Sequence, residues 1–426
     1  MTTKIYSTKK YENIILCNSP CVITLENWGE DSQSQINTLK PLQIKKGIDV
    51  FICNGVVKEL GEKLFAKYES LPQLEMIDAR NLVLMPGLVD CHTHSIFAGS
   101  RSNETILKSQ GLSYEEIAHK GGGILSTVKS TRACSKEELT NKFKRHAQQS
   151  LNRGVVLLES KTGYGLNVKE EKKLLEAMYD AYLEKDHSYL PKLSPTYLAP
   201  HAQSPDFHSL DSYLQTLLED LPNIARLGEE AAKKGIALPL AADIFLERNY
   251  FTKEHAEIWL GACLQHGLDV HIHADEFSRS GGAELASELA RRLEQTVSKR
   301  RKKGRVLSID HGQYATESDL IKLSSLGVCA VALPSTSFFS SLSYIEAKKL
   351  RSSEIRVAIA SDFNPGSAPM NNIWFSSYLA LSQCGFSLAE IIAGVTINGA
   401  FALGADKDYG SIEPGKKATL VAFEGN

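Results

Sequence analysis

From Leu82 onward the chain alternates short apolar runs with longer stretches of helical periodicity, and it does so eight times. The runs are LVLMPGLVD (82–90), VVLLE (155–159), SPTYLAP (194–200), LPLAADIFL (238–246), LDVHIHA (268–274), RVLSIDH (305–311), VCAVALP (328–334) and IRVAIASD (355–362). A strand that is apolar at nearly every position is buried on both faces, as in a parallel sheet covered by helices. Intervening segments such as KEEKKLLEAMYDAYLEK at 169–185 supply that cover. Eight repeats favour closure into an α/β fold of the (β/α)8, TIM-like barrel type, with an open doubly wound sheet as the alternative.

The placement of polar residues decides for the barrel. Six endings are DCHTH (90–94), ESKTGYG (159–165), PHA (200–202), HADE (273–276), DHG (310–312) and SDFNPG (361–366). In a barrel these ends converge on one rim, where active sites are built. Before the barrel, the runs NIILC, CVITL and DVFICNGVV are β-like, and the tail GSIEPGKKATLVAFEGN offers one more. The expectation is a small β-sandwich made from residues 1–82 and 406–426, with the barrel over 83–405.

Bulk properties narrow the function classes. The formal charge of −2 gives no general case for binding nucleic acid or a membrane. The basic run at 291–305 reads as a solvated surface segment rather than a polyanion site. Eight cysteines lack the spacing of a disulfide framework, which suits a reducing, cytoplasmic setting. Cys17 and Cys21 could form half of a metal knuckle, but no second close pair follows. Nothing at the start reads as a secretory signal, and no run is long enough to span a bilayer.

His92-Thr93-His94 is the sharpest chemical signal. Side chains at i and i+2 of an extended chain share a face, so two imidazoles can grip one ion at about 2.0–2.1 Å. His271-Ile272-His273 repeats the pattern at another strand end. His273 lies nearer the rim, so it is the expected ligand and His271 the packed residue one layer deeper. Asp362, ending the last run, adds a carboxylate. Three histidines and one aspartate leave a position open for water, whose pKa a zinc-like ion lowers to about 7. Glu276 sits three residues past His273, where a proton shuttle belongs. His311 and His201 end other strands and could polarise a carbonyl or steady an oxyanion. Lys161 leaves a second, lysine-bridged metal as an alternative. Gly121-Gly122-Gly123 lacks the strand and the Lys-Ser/Thr of a phosphate loop, and reads as a mobile loop.

Taken in order from about residue 80 to residue 405, the strings PGLVDCHTHSIFAGSR, GGGILSTVKSTR, ESKTGYGL, HADEFSRSGG, DHG and SDFNPGSAP resemble the imidazolonepropionases, metal-dependent amidohydrolases of histidine breakdown. An HxH at a barrel start is common to the whole superfamily, whereas KTGYG and DFNPGS are narrower. The resemblance implies one Zn2+ or iron ion per subunit on His92, His94, His273 and Asp362. It implies substrate contacts from Arg101, Tyr164, His201, Glu276, Asn364, Gly366 and Ser367, and catalytic roles for Glu276, His311 and Asp362. The implied reaction is hydrolysis of the ring amide of 4-imidazolone-5-propanoate to N-formimino-L-glutamate by a metal-activated water. An arginine suits the propionate carboxylate through a forked, charge-assisted bond. A homodimer is also implied.

Two departures stand out: the basic segment at 291–305 looks inserted, and the chain stops soon after ATLVAF. Other readings are an amidohydrolase acting on a purine or a cyclic imide, and a barrel scaffold that has lost its chemistry. The second is disfavoured because all four ligand residues are present.

Overall fold

The computed structural model describes residues 12–29, 40–112, 116, 121–183, 189–295 and 304–425. One parallel sheet dominates it. Its strands are Leu88–Asp90, Val155–Lys161, Lys192–Tyr197, the short pair Ala241–Ala242 and Phe245–Leu246, Asp269–Ala274, Val306–His311, Cys329–Ala332 and Val357–Ile359. They lie side by side in chain order, as a (β/α)8 barrel requires. The circle closes just beyond the first and last strands. Thr93 bridges Phe363, the Asp362 N–H donates to His92 O at 3.0 Å, and the His94 N–H donates to Phe363 O at 2.8 Å. Buried Asp90 reinforces this seam by accepting from the Ser361 N–H at 3.0 Å and its hydroxyl at 2.6 Å. The closure therefore sets the HxH pair against Asp362.

Two of the eight apolar runs are not single strands. In 238–246 the strand breaks at Asp243, whose Oδ1 accepts the N–H of Ile244 at 2.7 Å and of His273 at 3.1 Å. A buried carboxylate must find donors, and here it takes backbone N–H groups that a continuous ladder would use differently. The run 82–90 divides at Gly87, where a Cβ would overlap the Val156 side chain. Residues before it, Leu82–Pro86, pair with Leu420–Glu424 and Cys21–Ile23, and those after it enter the barrel.

The small β domain consists of two four-stranded sheets. One holds Asn13–Ser19, Ile48–Cys53, Val56–Gly61 and Leu74–Asp78, and the other holds Cys21–Ile23, Ile44–Lys45, Leu82–Pro86 and Leu420–Glu424. Ile14, Leu16, Val22, Val50, Ile52 and Leu84 fill the space between them. Its strands thus come from both ends of the chain.

The barrel helices start where the sequence supplies caps. The helix Lys136–Leu151 begins at a Ser135/Glu138 capping box, and Val168–Asp180 begins at Asn167. Its buried Leu174, Leu175 and Met178 face the sheet, while Lys169 and Lys172 lie on the outer side. Of the basic run, residues 296–303 lie outside the described residues. At its edges Arg292 pairs with Glu257 at 2.5 Å and Arg305 with Asp269 at 2.7 Å. All eight cysteines are free. Among the described residues no group able to hold a metal includes a cysteine, and no helix is long and apolar enough to cross a membrane.

Candidate active site

The polar strand ends meet in a buried cluster of imidazoles and carboxylates. His92 is central: its ring centroid lies 4.3 Å from His273, 5.5 Å from His94 and 5.8 Å from His311. Asp362 Oδ1 sits 3.5 Å from both His92 Nε2 and His94 Nε2. Ligand-capable atoms of His92, His94 and Asp362 lie within 4.8 Å of one another, and so do those of His92, His273 and His311.

Two of the rings, His92 and His273, are fixed from behind, whereas His94 Nδ1 is buried without a hydrogen-bond partner. His92 Nδ1 lies 2.6 Å from Asp310 Oδ2, and His273 Nδ1 lies 2.7 Å from Asp243 Oδ2. A carboxylate accepts the Nδ1 proton, which leaves Nε2 of each ring as a lone pair aimed inward. Asp362 is oriented likewise: Thr336 donates to Oδ2, leaving Oδ1 for the cluster. His92 Nε2 and Asp362 Oδ1 are buried and make no hydrogen bond. Buried polar atoms rarely go unsatisfied, so this pair fits a site for a cation. Electrostatics agrees. Burial holds His92 and His94 well below the usual histidine range, hence neutral as ligands must be. Burial also raises Asp362 to about 6, a carboxylate short of positive charge.

Beneath the imidazoles lies a charged layer that the sequence reading did not assign. Lys161 is fully buried, with Nζ 2.8 Å from Glu159 Oε1, 2.9 Å from Asp243 Oδ2 and 3.5 Å from Asp310 Oδ2. Burial alone would favour the neutral amine, but Asp243, Glu159 and Asp310 outweigh it and raise the lysine above its ordinary range. His271, one layer down, is packed against Ser308 Oγ at 2.8 Å, as expected for the deeper residue.

The rim places the remaining residues. Glu276 is buried beside His311, with Oε2 3.7 Å from His311 Nε2, and its N–H is held by Glu247 Oε2 at 2.9 Å. Burial, then Asp362 and Glu247, push its carboxyl well above the usual range. His311 is held neutral by burial, and its Nδ1 makes no hydrogen bond. His201 stacks on His94 at 5.1 Å and is lowered to about 3 by burial. Its Nδ1 lies 3.0 Å from Gly163 O, an acceptor only. That proton leaves Nε2 as an acceptor, which suits a ring N–H rather than an oxyanion.

The loop strings also gain physical reasons. In KTGYG, Gly163 has φ +115°, and a Cβ there would meet His201 Nδ1 at 2.6 Å. Glu171 accepts the N–H groups of Gly163, Gly165 and Leu166 at 2.6–2.8 Å, which holds the loop that sets Tyr164 beside the stacked His94 and His201 rings. In DFNPGS, Asn364 donates to Asp362 O and Ser367 Oγ and accepts from the N–H groups of Gly366 and Ser367. Its amide is thus committed to shaping the loop. A Cβ at Gly366 would overlap Arg101 Nη1. Arg101 forms a fork with Glu104, at 2.9 Å to each oxygen. Glu104 also accepts the Gly123 N–H at 2.7 Å, so the triglycine is tied in at the start of the helix Ile124–Ala133. The Asp of HADE, Asp275, is spent on the N–H groups of Ser280, Gly281 and Ala283. Asp243, Glu247 and Glu171 escaped the sequence reading, although Asp243 was visible as an acid in the middle of an apolar run.

The imidazolonepropionase of Bdellovibrio bacteriovorus is 33% identical over 422 residues, 97% of this chain and 91% of that protein. The imidazolonepropionase of Treponema denticola is 36% identical over 89% of this chain and 88% of that protein. The chain belongs to the imidazolonepropionase family. The broader amidohydrolase family profile matches residues 247–426. An imidazolonepropionase-family protein of this kind is a hydrolase acting on a carbon–nitrogen bond. Solved structures support the fold. An adenosine deaminase from Xanthomonas campestris with bound zinc has a TM-score of 0.66 at 17% identity, covering 96% of this chain and 84% of that one. A guanine deaminase from E. coli has a TM-score of 0.62 at 16% identity, covering 97% and 88%.

Proposed function

We propose that the protein hydrolyses the ring amide of 4-imidazolone-5-propanoate to N-formimino-L-glutamate in histidine degradation, using one metal ion held by His92, His94, His273 and Asp362. The observation that carries this reading is the buried, unbonded pair His92 Nε2 and Asp362 Oδ1 at the centre of the histidine cluster. Three imidazoles and a carboxylate suit Zn2+ or iron. Such an ion would polarise the ring carbonyl and ease the ionisation of water beside it.

The chain's own residues do the rest. Arg101, braced by Glu104, meets the propionate carboxylate, and the missing side chain at Gly366 leaves room for the guanidinium. His201 Nε2 accepts a ring N–H, and Tyr164 and Ser367 contact the polar heterocycle. Glu276 takes a proton from the attacking water and returns it to the ring nitrogen as the carbon–nitrogen bond breaks. Neutral His311 donates to the oxygen that gains charge. The same reading makes the protein a cytoplasmic homodimer, a setting that eight free thiols support.

An anaerobic assay tests it. Imidazolonepropionate is consumed, chelation abolishes turnover, and adding back Zn2+ or Fe2+ restores it. Deamination of guanine or opening of hydantoin in place of this activity would overturn the substrate assignment, and full activity after complete metal removal would overturn the metal. Arg101→Met raises KM for imidazolonepropionate by roughly 10-fold or more, since hydrogen bonds to charged groups contribute about 1.5–3 kcal/mol. Steady-state kinetics checks it, and an unchanged KM would move the carboxylate elsewhere.

A further inference from the structure

We infer that Lys161 is a positioning residue for the metal site, its ammonium clamping Asp243 and Asp310 so that His92 and His273 both present Nε2 to one centre. The inference rests on the metal reading proposed above.

The geometry is specific to the oxygens used. Asp243 Oδ2 receives both His273 Nδ1, at 2.7 Å, and Lys161 Nζ, at 2.9 Å. Asp310 Oδ2 receives both His92 Nδ1, at 2.6 Å, and Lys161 Nζ, at 3.5 Å. One ammonium therefore touches the same oxygen atoms that set the two imidazoles. Atoms of Asp243, Asp310 and His273 lie within 4.8 Å of one another, so without a cation between them two buried carboxylates would repel and pull their histidines apart.

A third arm reaches the HxH turn. Glu159 Oε1 lies 2.8 Å from Lys161 Nζ, while Oε2 accepts the Thr93 N–H at 3.0 Å. The Thr93 hydroxyl donates to Glu159 O at 2.6 Å, and the Lys161 N–H donates to Thr93 O at 2.9 Å. The strand Val155–Lys161 thus holds the residue between His92 and His94 by backbone and side chain together. All four residues of the layer are fully buried, so losing one partner leaves a buried charge uncompensated. A carbamate on Lys161 would add negative charge to three carboxylates already in place, so the same geometry argues for a single metal.

Competition with a chromogenic chelator, using Zn2+ on the metal-stripped full chain, tests the assignment. Wild type takes up one Zn2+ per chain. If it takes up none, the metal reading fails and Lys161 has nothing to position. Lys161→Met binds Zn2+ roughly 10–100-fold more weakly, the usual cost of losing a group that orients metal ligands. In the zinc protein, the downfield Nδ1–H proton resonances of His92 and His273 are lost in this variant. Wild-type affinity with both resonances intact would overturn the inference.

A second variant separates positioning from charge balance. Lys161→Met with Glu159→Gln removes one positive and one negative charge, and it regains thermal stability while its Zn2+ affinity stays low. Recovery of wild-type affinity would show that only charge balance mattered. Failure of this double variant to fold would count against the inference too, because the core rather than the metal ligands would then need the ammonium. A carbamate carbon signal after exchange of wild type with 13C-bicarbonate would also overturn it.

Discussion

Glu276→Gln lowers kcat by roughly 10²–10⁴-fold, the range of a general acid–base contribution, while zinc content and fold stay at wild type. The substitution keeps the size of the side chain and removes its ability to take a proton. Its surroundings explain why the carboxylate is apt. Burial, Asp362 and Glu247 all raise its pKa, so it accepts a proton far more readily than a surface glutamate. Glu247 also fixes its loop by accepting the N–H groups of Glu276 and Phe277 at 2.9 and 3.0 Å. Glutamine at 276 leaves those bonds untouched, so lost activity would report chemistry and not collapse of the loop. Single-turnover kinetics with metal analysis on the same sample checks it. Turnover near wild type would move the proton transfer to another group, with His311, 3.7 Å away, the first to examine.

The ring of strand ends was legible because barrel geometry converts sequence position into spatial position. His92, His94, His273 and Asp362 each end an apolar run, and the barrel gathers such ends on one rim. What could not be read was the layer behind them. Asp310 serves His92 across 218 positions and Asp243 serves His273 across 30, and no local pattern links such partners. Lys161 illustrates the same limit. In sequence it is a lysine at a strand end, open to carbamate chemistry, and only its three carboxylate neighbours give it another role.

The strand breaks had visible but unread signs. Gly87 interrupts 82–90, and its lack of a side chain lets Val156 approach, so one apolar stretch serves two sheets. Asp243 interrupts 238–246 because a carboxylate in that position must be satisfied by N–H groups. Narrow motifs were recognisable before they were explicable. The glycines of KTGYG are dictated by His201 and by the Glu171 backbone, which only the folded chain brings close.

Asp243→Asn is expected to damage metal binding and stability together, because every partner of this carboxylate is a donor. Oδ1 accepts from the N–H groups of Ile244 and His273, and Oδ2 accepts from His273 Nδ1 and Lys161 Nζ. An asparagine must turn its NH2 toward one of these pairs. If the NH2 faces the backbone, two N–H groups at the strand break lose their acceptor. If it faces His273, the ring must shift its proton to Nε2 and can no longer ligate through that atom, while Lys161 loses its nearest anion but one. Removing one member of a buried ion pair typically costs about 3–5 kcal/mol, and disturbing a group that orients a ligand weakens metal binding roughly 10–100-fold. The pH course follows from the carboxyl's shift. Burial opposes its ionisation, but Lys161 and then His273 hold Asp243 well below the ordinary aspartate range. The stability it contributes is therefore fully present above the unfolded-state pKa of about 4 and is lost as pH falls through the lower, folded value. Thermal unfolding of the metal-free protein at pH 7 should separate wild type from Asp243→Asn clearly, and the gap should narrow as the buffer is acidified. A variant with wild-type melting and wild-type Zn2+ affinity at neutral pH would mean that His273 is oriented by something other than this carboxylate.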